Sequence, residues 1–136
     1  MEHLTIHQAY LAMMDFLEGF YQRTGSDDVA VLLGGMQFLS DKNTADSAAW
    51  DDWMKSVSGI LMPDTPTNRQ RWQDLLSDPK NYQGTDSLGN QWYAQTLADG
   101  SQLWAKVRHG VFKYGGIRQI PRMFDPQTGL SSPESP

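Results

Sequence analysis

The side chains best suited to chemistry cluster late in the chain: Lys106, Arg108, His109, Lys113 and Arg118, with Arg122 just beyond them. No acid occurs between Asp99 and Asp125, so the five Lys and Arg in that stretch create a local field of +5. Tyr93 and Trp104 interleave with them. A two-residue Asp99-Gly100 hairpin would pair Leu97 with Gln102 and Gln95 with Trp104, and strand alternation then puts Tyr93, Trp104, Lys106, Arg108 and Lys113 on one sheet face. Ammonium and guanidinium groups neutralise phosphates while rings stack unpaired bases, which makes this face a candidate anion or nucleic-acid site. A second hairpin at His109-Gly110 would set Lys106 opposite Lys113, a like-charge pair that costs stability and that an anionic partner would relieve. His109 is a candidate general base or acid for RNA cleavage, with Arg108, Lys113 or Arg118 stabilising the pentacovalent phosphate and Tyr114 or Thr96 assisting. The same residues equally suit a solvated sheet face or an acidic protein partner, and a histidine at a hairpin tip is often simply exposed.

The first half carries the opposite charge. Residues 1–60 hold nine acids and three Lys or Arg, against seven and eight in residues 61–136, a division that the overall net charge of −5 conceals. The pairs Asp27/Asp28 and Asp51/Asp52 are candidates for meeting a basic protein surface, although carboxylates in a helix's first turn also offset its dipole. His3 and His7 share a helix face but lack the third ligand of a zinc site, so no metal is expected. No phosphate-binding glycine loop, nucleophile elbow or zinc signature appears, and no cofactor is implied. The absence of cysteine excludes disulfides and a thiolate nucleophile and fits a reducing compartment, which makes cytoplasm the expected location. No apolar run approaches the roughly 18 residues that a membrane span requires, so no membrane partner is expected.

Positioning these groups requires an α+β chain. Thr5 to Gly25 predicts a helix, with a Thr5/Gln8 capping box, a Gly25 stop, and Ile6, Ala9, Tyr10, Met13, Leu17, Phe20 and Tyr21 at helical spacing. Ser26 or Asp27 caps a second helix ending near Ser40, with Val29, Leu32, Leu33 and Met36 inward. Asp46 or Ser47 starts a third, through about Leu61, that turns Trp50, Trp53, Met54, Val57 and Ile60 inward. Pro63 and Pro66 then break the pattern, which divides the chain into an acidic helical module, 1–61, and a basic module, 62–136. The second module reads as a helix from Asn68 to Ser77 packed on a three-stranded antiparallel β-meander. Trp92, Ala94, Thr96, Leu103, Ala105, Val107, Phe112 and Tyr114 supply its apolar face, and the tail from Pro126 reads as irregular and frayed.

Two stretches resemble components of bacterial polymorphic toxin–immunity systems of the contact-dependent growth inhibition type. AYLAMMDFLEGFYQRTGSDDVAVLLGGMQFLSD with TADSAAWDDWMKSV is similar to a small helical immunity-associated family that shares the Ser-Asp-Asp and Ala-Trp-x-x-Trp pattern. YQGTDSLGNQWYAQTLADGSQLWAKVRHGVFKYGGIRQIPRMFDPQTGLSS resembles the C-terminal segment of filamentous-haemagglutinin-type effector toxins, which have Asn-Gly in place of His109-Gly110. The resemblance implies a cognate toxin or immunity protein as partner. It favours a non-enzymatic protein that binds and neutralises a cationic, nuclease-like surface, the alternative being a toxin-related ribonuclease or RNA-binding module that uses the basic sheet face.

Overall fold

The computed structural model describes residues 2–131. Its elements are α1 (Ile6–Thr24), α2 (Asp27–Met36), α3 (Ser47–Leu61), α4 (Pro66–Ser77), a 3-10 turn (Pro79–Asn81), and strands β1 (Tyr82–Thr85), β2 (Gln91–Thr96), β3 (Gln102–Arg108) and β4 (Val111–Arg118). The class is α+β, with four strands in the antiparallel order β1-β2-β3-β4 rather than three. The chain forms two compact units that divide between Trp53 and Met54, inside α3, whereas the proline pair suggests a boundary after Leu61.

In the first unit, local chemistry sets the helix ends. The Thr5 hydroxyl accepts from Gln8 N while the Gln8 amide oxygen accepts from Thr5 N, both at 3.0 Å, and Gly25 ends α1 at φ +65°. Ser26 caps α2, but this helix stops at Met36, short of Ser40: Gln37 is extended, and Phe38 bridges Thr44 across a loop that contains Lys42 at φ +70°. The core is aromatic. Tyr10 is fully buried, its hydroxyl donates to the Met36 carbonyl at 2.8 Å, and its ring meets Phe38, Trp50 and Trp53 at 5.2–5.7 Å. Leu33 and Met36 close the core from α2, but Leu32, expected inward, is exposed.

The second unit is layered. On one face of the sheet, Trp72 and Leu75 of α4 pack on Leu103 and Ala105, with Tyr93, Leu97 and Phe112 around them. Pro66 occupies the first turn of α4, where its missing N–H has no helical partner in any case, and Thr65 caps the helix, so α4 begins two residues earlier than Asn68. Met54 and Ser58 of α3 face inward. Ser58 Oγ accepts from Gly115 N at 3.2 Å, whereas Ile60, expected inward, lies off that stripe and is 82% exposed.

The first hairpin of the predicted meander has a different register. Thr96 pairs with Gln102 and Ala94 with Trp104, one residue away from the two-residue-loop prediction. Asp99 does not adopt positive φ. Its carboxylate accepts from Ser101 N (3.0 Å) and from the Ser101 hydroxyl, leaving Gly100 at φ +86° as the one left-handed residue of a loop closed by Leu97 N to Ser101 O. Three loop residues instead of two invert every side chain of β2 relative to β3. The overlooked β1–β2 hairpin repeats this design: Asp86 N bonds Asn90 O, and Gly89 stands at φ +86°. The His109-Gly110 loop does have two residues, both at positive φ, with Arg108 opposite Val111. A bulge follows, so Lys106 pairs with Tyr114 rather than Lys113, and the predicted like-charge pair does not form.

The second sheet face carries Trp92, Ala94, Trp104, Lys106 and Tyr114, and the C-terminal segment covers it. Gln102 grips Arg122 by two hydrogen bonds (Nε2 to Arg122 O, 3.0 Å; Arg122 N to Oε1, 3.2 Å). Asp125 then bridges Gly129, Leu130 is 0% exposed, and Ser131 reaches the Tyr114 hydroxyl at 3.1 Å. This part of the tail, expected to fray, is a buried strap. The remainder of that expectation, 132–136, lies outside the described residues.

Candidate binding surfaces

The register shift disperses the predicted basic face. Tyr93 sits half-buried on the α4 side, its ring 5.6 Å from that of Tyr82. Trp104 and Lys106 lie on the opposite side beneath the strap, and Lys106 is only 3% exposed. The Lys106 ammonium stands 5.1 Å from the Tyr114 ring centroid and 5.8 Å from that of Trp92, a cation–π arrangement that belongs to the interior. The Arg118 guanidinium stands over Trp104, 4.4 Å from its ring centroid. Tyr114 is buried, and Thr96 is exposed at the far end of β2.

Two of the predicted cations stay with the histidine: Arg108, half-buried, with His109 and Lys113, both exposed, at the β3–β4 hairpin end. Arg118 pairs with Gln102, six residues along β3 from Arg108 and therefore about 20 Å from that end. The histidine and all three proposed phosphate-stabilising cations therefore do not form one site.

Asp86 was missed by the sequence reading, although the Asp-x-x-Gly-Asn spacing was a legible signal. Its buried carboxylate accepts from Leu88 N, Asn90 N, the Asn90 amide and Trp92 Nε1, the last at 2.8 Å. This network fixes the β1–β2 turn to the aromatic face. Two exposed carboxylates titrate lower than usual: Asp64 because it is hydrogen-bonded to Arg69, and Asp99 because it accepts from Ser101.

In the first unit, Asp27 and Asp28 are exposed in the first turn of α2, and Val31 and Leu32 are exposed one turn on. Residues three and four apart adjoin on a helix, so the two acids border two outward apolar side chains. Val31 is 77% exposed, while the opposite stripe, Leu33 and Met36, fills the core. Asp51 is half-buried and Asp52 exposed beside the core residue Trp50 of α3. His3 is exposed, and His7 packs its ring edge-on against Phe38 at 5.4 Å. Among the described residues, no group of three or more His, Asp or Glu is placed to hold a metal ion, and no helix is long and apolar enough to cross a membrane.

Compared with protein-family models, curated proteins and solved structures, the chain finds no match in any of the three.

Proposed function

We propose that this chain is a non-enzymatic, cytoplasmic binding protein of a bacterial toxin–immunity system, whose first unit neutralises a cationic, nuclease-like toxin surface. The observation that carries the reading is the outward face of α2, where Asp27 and Asp28 border Val31 and Leu32. Adjoining exposed apolar side chains rimmed by polar residues are a feature of protein interaction sites. Residues 2–53 hold nine acids against Arg23 and Lys42 alone, an excess that steers a basic partner towards them and disfavours nucleic acid there. On this reading a cognate toxin domain is encoded beside this gene, and it is the partner for the test. Co-expression should rescue growth, and Asp27→Lys/Asp28→Lys should abolish both rescue and salt-sensitive binding; undiminished rescue by that variant would reject the reading.

A second reading, RNA binding by the second unit, draws on Arg108, His109 and Lys113 at the hairpin end. It predicts that a single-stranded RNA oligonucleotide binds the whole chain with an affinity that falls steeply with salt and with Lys113→Glu.

A further inference from the structure

Helix α1 carries an outward apolar stripe of its own, turned away from the buried Tyr10. Ala12, Phe16, Gly19, Phe20 and Arg23 follow one another at steps of three and four residues and so adjoin along the helix, with Asp15 on their border. Phe16 is 71% exposed, and Ala12, Asp15, Gly19 and Arg23 are exposed with it. Nothing beyond the helix's own backbone lies within 4 Å of the place a Gly19 side chain would occupy, so the backbone is bare between the two rings. Glycine weakens a helix interior, and close approach of another backbone is what its missing side chain permits. The Arg23 guanidinium lies along the stripe, 5.5 Å from the Phe20 ring centroid. Neither Arg23 nor Asp15 makes an ion pair or a side-chain hydrogen bond among the described residues.

We infer that the chain forms a two-fold dimer through α1, with the helices of two copies antiparallel and crossing at Gly19. A dyad level with Glu18 sets Phe16 of each copy against Phe20 of the other, and it brings each Arg23 within two residues' rise, about 3 Å along the axis, of the second copy's Asp15. Parallel packing would instead set Asp15 against Asp15 and Arg23 against Arg23, so charge selects the antiparallel pair. Rings, bare backbone and both charges thus find their counterparts on an identical helix, and this self-complementarity names a second copy as the occupant. From Ala12 to Arg23 the stripe is about 17 Å long, a contact below about 1,200 Å² in total, so the dimer is weak and exchanges rapidly. The inference is independent of toxin binding: it leaves Asp27 and Asp28 of α2 outside the contact and is measured with no toxin present.

Analytical ultracentrifugation of the full chain should show an average mass that climbs from 15.3 kDa towards twice that value, and no further, at about 100 μM and above. Phe16→Glu should hold the chain at the monomer mass. Gly19→Gln favours the helix while filling the crossing point, so it should raise thermal stability and still abolish the dimer. Asp15→Arg and Arg23→Asp should each weaken dimerisation about tenfold by opposing like charges, whereas the double variant Asp15→Arg/Arg23→Asp, or an equimolar mixture of the two single variants, should restore it. Asp27→Lys/Asp28→Lys should leave the dimer intact. A monomer at every concentration would overturn the inference, as would growth beyond two copies, a dimer that survives Phe16→Glu or Gly19→Gln in a chain with an unchanged circular dichroism spectrum, or a double charge reversal that fails to restore pairing.

Discussion

The buried Tyr10 hydroxyl shows how much one polar group can determine. Burial pushes its pKa up to about 12, against about 10 in an unfolded chain. The folded state therefore holds this proton more tightly, and its contribution is intact below pH 10 and lost as pH rises towards 12. Alkaline denaturation should show that loss, and Tyr10→Phe should remove it. At neutral pH the same substitution leaves the Met36 carbonyl without its 2.8 Å donor and should cost about 1–2 kcal/mol in urea unfolding. His109 illustrates the backbone equivalent. It occupies φ +52° without being glycine, a conformation that asparagine tolerates better, so His109→Asn should stabilise the chain by about 0.5 kcal/mol.

Among the elements, the strap decides what the sheet's second face is for. Leu130 fills the space beneath it, and Leu130→Ala should cost about 2–5 kcal/mol and shift tryptophan emission to the red as Trp92 and Trp104 become wetted. Gly129 stands at φ +66° with its Cα against the Trp92 indole, so Gly129→Ala meets both a strained backbone and a ring, and should be at least as damaging. The two lysines once expected to face each other should now behave differently. Lys106→Ala removes a buried stem packed between aromatic rings and should lose about 2–4 kcal/mol, whereas Lys113→Ala, at an exposed bulge, should change stability by less than about 0.5 kcal/mol. Equal effects would mean that the two residues share an environment after all.

For the whole molecule, the charge division becomes functional only if a partner responds to it. Affinity for a basic toxin domain should fall steeply between low and high salt and should track charge at Asp27 and Asp28 rather than at buried Lys106. What the sequence alone determined is what local chemistry fixes: the capping box and glycine stop of α1, the Ser26 cap of α2, the His109-Gly110 turn, the α+β class and the opposed charges of the two halves. The β1–β2 hairpin was equally local, its loop closing with the same backbone bonds and the same left-handed glycine as the Asp99-Gly100 loop, but its strand is only four residues long. Which side of the sheet each residue faces was settled elsewhere. The Asp99–Gly100 loop is one residue longer than a two-residue turn, and a side-chain period of two turned that residue into the burial of Trp104 and Lys106. Only the tertiary structure could also reveal the strap, because its irregular backbone carries no periodicity and is ordered by what it covers.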